Sequence, residues 1–302
     1  MSKTRFGFWP RPWHIAAAGL SVEPVADYAD VVEAINKHER AFDGWMHPPL
    51  GRRFSSALGL SLPWMPAKAY GLPSTHEMSL DTDDEALADF SIALIGLLDG
   101  MRLVREGWNH FYKTPIEPAK LVDFVCSESE MSRAVDMATR RWRALDKDCQ
   151  KWMFGAIHWY CFTAAYEHNF ERFGGLYTVL DTLYCIHERL TSSRVTHAKR
   201  AVVLAETHQI PVPDWAQVHT INNKDVSRLS TLRNEFFHEG RYGGEPIGFD
   251  FPEENITLEL EAFVTRLILG MLSIKCAYVQ TAATTQQTHG LDLSCSGVQQ
   301  VR

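Results

Sequence analysis

No two of the six cysteines form a CxxC pair. Cys126, Cys149, Cys161, Cys185, Cys276 and Cys295 are scattered singly, which argues against a zinc ribbon or knuckle. Buried free thiols in a reducing compartment are the simplest reading. A GxGxxG or Walker loop is also missing, so dinucleotide and P-loop chemistry have no support. No nucleophile elbow stands out. A basic charge balance is lacking too: 37 acidic residues outweigh 30 basic ones, and the net charge is −7. Any nucleic-acid contact must therefore come from local patches. Nor is there a long apolar run. The most hydrophobic helix candidate, Phe263 to Val279, contains Arg266 and Lys275 and is too short to span a bilayer. The opening MSKTRFGFWP lacks the apolar core of a signal peptide. The expectation is a cytoplasmic protein with no membrane span, no metal and no cofactor.

What the chain does have is a globular balance, 45% hydrophobic and 22% charged, enough for a sizeable core. Residues 1–83 differ from the remainder. They are rich in Pro, Gly and aromatics, as in FWPRPW, GWMHPPLG and LPWMPAKAYGLP. One helix is expected there, over about Val25 to Phe42. The Pro-rich stretch from Gly44 to Pro73 reads as an ordered, irregular or short-stranded segment wrapped on the main body, since Trp45 and Tyr70 are too apolar for a solvated linker. His76 and Glu77 are two adjacent metal-ligand types, which is not a site.

From residue 84 the pattern is helical. Asp81, Asp83, Asp84 and Glu85 favour a helix N-terminus, with Leu87, Phe90, Leu94 and Leu98 turned inward. Ser127 with Glu130 forms a capping box for the next helix, whose outer face carries Arg133, Arg140, Arg141 and Arg143. That face reads first as solvated and second as a phosphate-contacting stripe. The segment from Asp148 to Phe173 is apolar nearly all round and reads as a central helix. Gly174 and Gly175 either break it or allow close packing. Asp181 follows within an apolar run, where a buried acid needs a partner and arginine is the natural choice. Arg194, Lys199 and Arg200 cluster as a candidate RNA-binding patch. Asp225 or Ser227 can cap the helix bearing TLRNEFFHEG, and a glycine-rich loop follows it. A last helix over Thr257 to Val279 precedes a polar tail. The fold class expected is all-α, with domains at 1–83 (extension), 84–283 (helical bundle) and 284–302 (disordered tail).

The chemistry is expected at Arg233, Asn234 and His238, which offer a cation, an amide and a group titrating near neutrality. The bare spacing Arg-x4-His is weak. With 13 histidines in 302 residues, about one chance match is expected, and Arg105 to His110 supplies it. What sets RNEFFHEG apart is the amide after the arginine, the apolar filling and the terminating glycine. Asn234 and His238 share a helix face, but Arg233 and His238 are about 140° apart around the axis. The expectation is that His238 swings inward on a frayed last turn, or that two copies of the motif meet across a two-fold axis.

RNEFFHEG resembles the R-x4-6-H signature of HEPN domains, the α-helical nucleotide-binding and ribonuclease fold, and the chain from about 85 to 280 is similar to HEPN domains of Apea type. Asn234 fits the polar position after the arginine, and Asp181 fits an acid embedded in a neighbouring apolar helix. The resemblance implies a metal-independent endoribonuclease acting as a homodimer on RNA, in anti-phage defence or a toxin system. It gives His238 the acid–base role, Arg233 the phosphorane charge, Asn234 a hold on the His238 ring or the phosphate, and Asp181 at most the orientation of Arg233. The alternative it allows is a silent HEPN domain that binds nucleotide or RNA, or scaffolds a partner protein. Members regulated by a nucleotidyltransferase partner carry R-x4-H-x-Y. Here Gly240 holds that position and the nearest tyrosine is Tyr242, which speaks against tyrosine modification.

Overall fold

Alternation with a period of two, not helical spacing, governs the start of the chain. In Ser2–Gly7 the charged Lys3 and Arg5 point outward while Phe6 is buried. The computed structural model describes residues 2–55, 60–66, 69–163, 165–166, 168–240, 255–283 and 287–295. These fall into two compact units, Met1–Lys120 and Leu121–Arg302. The composition change at residue 83 lies inside the first of them.

The first unit contains strands β1 (Ser2–Gly7), β2 (Ile15–Ala17), β3 (Leu20–Pro24), β4 (Ala41–Phe42), β5 (Trp45–Met46), β6 (Leu50–Ser55), β7 (Leu60–Pro66), β8 (His76–Leu80), β9 (Val104–Arg105) and β10 (Thr114–Pro115). Its helices are α1 (Tyr28–Asn36) and α2 (Glu85–Leu98). Five strands form an antiparallel sheet in the order β2-β3-β8-β1-β9, with Thr4 opposite Met78 and Val22 opposite the same residue. A second sheet runs β10-β5-β4, and β6 pairs with β7.

The all-α expectation is therefore wrong: the fold is mixed, and the region read as an extension is largely antiparallel sheet. The strands escape a helical reading because most are only two to six residues long, too short to establish a period. His76 and Glu77 show the same alternation. His76 is buried, while Glu77 sits on the opposite face and accepts a hydrogen bond from Lys3 Nζ at 2.6 Å. A second core beside the sheets gathers Phe8, Ile35, Met46, Tyr70 and Ile116. The Tyr70 hydroxyl donates to the Met46 carbonyl at 3.0 Å, so the aromatic that argued against a linker does anchor its segment.

The second unit is mainly helical: α3 (Glu128–Ala144), α4 (Lys147–Thr163), α5 (Asn169–Thr191), α6 (His197–His208), α7 (Arg228–Glu239) and α8 (Ile256–Met271). Strand β11 (Phe124–Val125) opens it, β12 (His219–Ile221) and β13 (Lys224–Val226) form a hairpin, and β14 (His289–Gly290) closes it. The Ser127–Glu130 capping box forms as expected. The hairpin replaces an expected polar connection, because Asn222 and Asn223 both take positive φ, the geometry that matches strand twist in a two-residue turn.

Helix α5 is the hub of this unit, packing against α4, α6, α7 and α8. It runs unbroken through Gly174 and Gly175, which serve close packing. A Cβ at Gly175 would fall 2.2 Å from Thr163 Cγ2 on α4. Arg266 on α8 is wholly buried and fully engaged. It donates to the Ala262 carbonyl at 2.7 Å, the Thr281 carbonyl at 2.9 Å, the Tyr278 hydroxyl at 2.8 Å and Asp123 at 3.2 Å. Part of the expected disordered tail is also ordered: β14 pairs in parallel with β11, and Leu291 and Leu293 are buried. Residues 296–302 and the glycine-rich loop 241–254, with Tyr242, lie outside the described residues.

Candidate active site

Helix α7 is set by its ends and one face. The Ser227 hydroxyl accepts from the Ser230 amide at 3.1 Å, and Ser230 Oγ accepts from the Ser227 amide at 2.9 Å. Gly240 ends the helix at φ 63°, a left-handed conformation glycine adopts without penalty. Leu229 and Leu232 are buried. One turn on, the Phe236 ring packs edge-on against Phe173 of α5, with centroids 5.8 Å apart. The space for that ring comes from Gly174, where a Cβ would lie 2.7 Å from Phe236 Cε1.

Packed this way, α7 turns its last turns outward. His238 and Asn234 are exposed and Arg233 is half-buried. Arg233 Nη1 donates to His238 Nε2 at 2.6 Å and to Asn234 Oδ1 at 3.1 Å. The 140° separation is thus bridged by the length of the arginine side chain, within one chain and without fraying. Bringing Arg233 to His238 therefore needs no second copy. Because a guanidinium only donates, the lone pair of His238 is on Nε2 in this contact. Asn234 holds the arginine, not the histidine ring. The guanidinium also lies over Phe237, 5.5 Å from its centroid, and 6.0 Å from that of Tyr177.

Asp181 does have an arginine partner, but it is Arg200. Arg200 Nη1 donates to Asp181 Oδ1 at 2.7 Å, and its guanidinium stacks 4.5 Å from the Tyr184 ring. Of the candidate RNA-binding residues only Arg200 reaches the site. Lys199 pairs with Asp225 at 2.7 Å, which holds that carboxyl below its ordinary range, and Arg194 points to Glu188 from an exposed position.

Two residues not foreseen in the sequence complete the cluster. Tyr177, one turn before Asp181 on α5, has its hydroxyl 3.2 Å from His197 Nδ1, and the same Nδ1 lies 3.6 Å from Asp181 Oδ1. Burial pushes the Tyr177 hydroxyl well up, and the Asp181 charge adds to this, so it stays protonated. Burial pushes His197 below its ordinary value. Arg200, Arg233 and His238 act in the same direction and Asp181 opposes them. The sequence signals were available: Tyr177 and Asp181 at i, i+4, and His197 and Arg200 at i, i+3 in THAKR.

The chance match behaves differently. Arg105 is tied to Asp89 at 2.8 Å, and His110 is buried against Tyr70, its imidazole pushed down to about 3 by burial. The arginines of α3 are partly used in structure as well. Arg133 and Arg141 donate to the Leu293 and Met271 carbonyls, and Arg140 pairs with Asp136. Among the described residues no group of three His, Cys, Asp or Glu is placed to hold a metal ion, and no helix is long and apolar enough to cross a membrane. Compared with protein-family models, curated proteins and solved structures, the chain matches none.

What the arrangement can do chemically follows from its parts. Two guanidiniums, one of them paired to an acid, flank two imidazoles and a protonated phenol. That set can hold a phosphate and move protons at its edge.

Proposed function

We propose that this chain is a metal-independent endoribonuclease of the HEPN kind, acting as a homodimer on RNA. The observation that carries the reading is the 2.6 Å contact of Arg233 with His238, with Asn234 on the same guanidinium. A phosphodiester entering between them displaces the arginine from the imidazole. Arg233 and Arg200 then face the non-bridging oxygens, where charge grows in the phosphorane. The ribose 2′-oxygen attacks phosphorus as the bond to the 5′-oxygen breaks. His238 serves in proton transfer to or from these oxygens. In the dimer the exposed surface of α7, with Asn234, Phe237 and His238, meets its own copy and forms one RNA groove. A role in anti-phage defence or a toxin system, with a regulatory partner protein, belongs to the same proposal.

The test is cleavage of single-stranded RNA in EDTA by wild type, His238→Ala and Arg233→Ala. Loss of His238 lowers the rate roughly 10²- to 10⁴-fold, the usual share of acid–base catalysis. Equal cleavage by all three proteins sinks the proposal.

A second reading has one observation in its favour. Arg233 occupies the very nitrogen of His238 that a base would use, which suits a domain that binds nucleotide or RNA without turnover. Tight RNA binding with intact RNA recovered after incubation selects that reading.

A further inference from the structure

Cleavage by attack of a 2′-hydroxyl involves two proton transfers, one from the nucleophile and one to the leaving group. His238 can make only one of them in a given turnover step. We propose that His197 is the second acid–base residue of the site, taking the 2′-hydroxyl proton on Nε2 while His238 serves the leaving oxygen. This inference rests on the ribonuclease reading above.

The geometry is that of an oriented imidazole. His197 is the first residue of α6, so its ring stands at a helix end and keeps 36% of its side-chain surface exposed. Its Nδ1 is engaged from α5 by both Tyr177 and Asp181, at 3.2 and 3.6 Å. Asp181 is in turn fixed by Arg200 of α6 at 2.7 Å. With its hydrogen on Nδ1 and donated to the Tyr177 oxygen, neutral His197 carries its lone pair on Nε2, which has no partner among the described residues and is left for substrate. A carboxylate on one imidazole nitrogen fixes the ring and stabilises the cation that forms on the other.

The titratable and charged groups facing His197 are Tyr177 and Asp181 from α5, Arg200 from α6, and Arg233 and His238 from α7. Burial holds its imidazole below the ordinary value, with Arg200, Arg233 and His238 acting the same way against Asp181, which suits a base that must be neutral at the start of the reaction. Tyr177 links the two halves. Its ring centroid lies 6.2 Å from that of His197 and 6.0 Å from the Arg233 guanidinium carbon.

The step balances. The 2′-oxygen to phosphorus bond forms and the phosphorus to 5′-oxygen bond breaks. The 2′-hydroxyl proton passes to His197 Nε2. A protonated His238 gives its proton to the departing 5′-oxygen. The two imidazoles end with exchanged protonation and are reset through water. Each chain thus carries its own base and acid.

The experiment measures the EDTA-resistant RNA cleavage of wild type, His197→Ala and His197→Gln from pH 4.5 to 8.5, with and without added imidazole. His197→Ala is expected to lose roughly 10²- to 10⁴-fold in kcat, to lose the acidic limb of the profile, and to recover in imidazole. His197→Gln keeps the bulk and a hydrogen bond to Tyr177 and is expected to be as inactive as the alanine variant. Wild-type rates in His197→Ala overturn the inference. So does an inactive alanine variant without imidazole rescue beside an active glutamine variant, because that pattern is a packing effect. Absence of metal-independent cleavage by the wild type overturns the ribonuclease reading itself, and is thereby distinguished from failure of His197 alone.

Discussion

The same substitution at two helical glycines of one unit should move stability in opposite directions. Gly155 lies in the interior of α4 and Gly174 in that of α5. Alanine in a helix interior is more favourable than glycine by about 0.8–1.0 kcal/mol. At Gly155 an added Cβ meets nothing within 4 Å, so Gly155→Ala keeps the whole gain. At Gly174 the Cβ falls 2.7 Å from Phe236 Cε1 and 2.9 Å from Cζ, where ordinary contact begins at 3.4 Å. Phe236 is held between Phe173 and Phe237, with centroid distances of 5.8 and 4.9 Å, so its ring cannot retreat without moving α7. Overpacking of this kind costs about 1–3 kcal/mol. Because the propensity gain cancels between the two variants, Gly174→Ala should be less stable than Gly155→Ala by about 1–3 kcal/mol. Urea denaturation followed by far-UV circular dichroism measures this as a difference in midpoint at unchanged slope. If both variants gain stability equally, Gly174 does not make room for the Phe236 ring, and α7 is not positioned by that contact.

Other perturbations follow from buried charge. Burial lowers His76 to about 4, and its Nε2 has no partner among the described residues. A histidine lowered in the folded state leaves stability intact above about pH 6.5 and erodes it as pH falls towards 4, by about 3 kcal/mol in all. Denaturation midpoints at pH 7 and pH 4.5 should show the loss, and His76→Phe should reduce it; a pH-independent midpoint refutes it. Arg266→Met strands the Asp123 carboxylate and should cost about 3–5 kcal/mol, whereas Arg266→Met with Asp123→Asn should recover part of that in a double-mutant cycle. A double-variant loss equal to the sum of the two single-variant losses would mean that the pair is not coupled.

Local signals in the sequence were the ones that could be read. Ser127 with Glu130, Asp84 before α2 and Gly240 after α7 mark helix ends through chemistry confined to four residues. Leu176, Val179, Leu180, Leu183 and Ile186 mark α5 because their helical spacing puts them on one face, and all five are buried. The five-stranded sheet was not legible, for Leu20–Pro24 pairs on one side with His76–Leu80, more than fifty positions on. At the site, Arg233, Asn234 and His238 could be found because all three sit on one helix. That Asp181 takes Arg200 could not be read, since several arginines were available and only the packing of α6 on α5 selects one. His197 was missed because a single histidine opening a helix looks like an ordinary surface residue. Its relation to Tyr177 is tertiary.

The closing of the second unit has a consequence for its synthesis. Asp123 stands at the start of that unit, yet its partners Arg266 and Tyr278 are separated from it by 143 and 155 positions, and β11 awaits β14 beyond them. At about 5–20 residues per second, translation leaves that carboxylate and strand edge without their partners for roughly 7 to 30 s. The ribosome must have released the chain through Tyr278 before the contacts around Arg266 can form. A transcript cut short before Tyr278 therefore yields a nascent helical bundle with an open seam, a substrate for chaperones and proteases and not a smaller version of the protein.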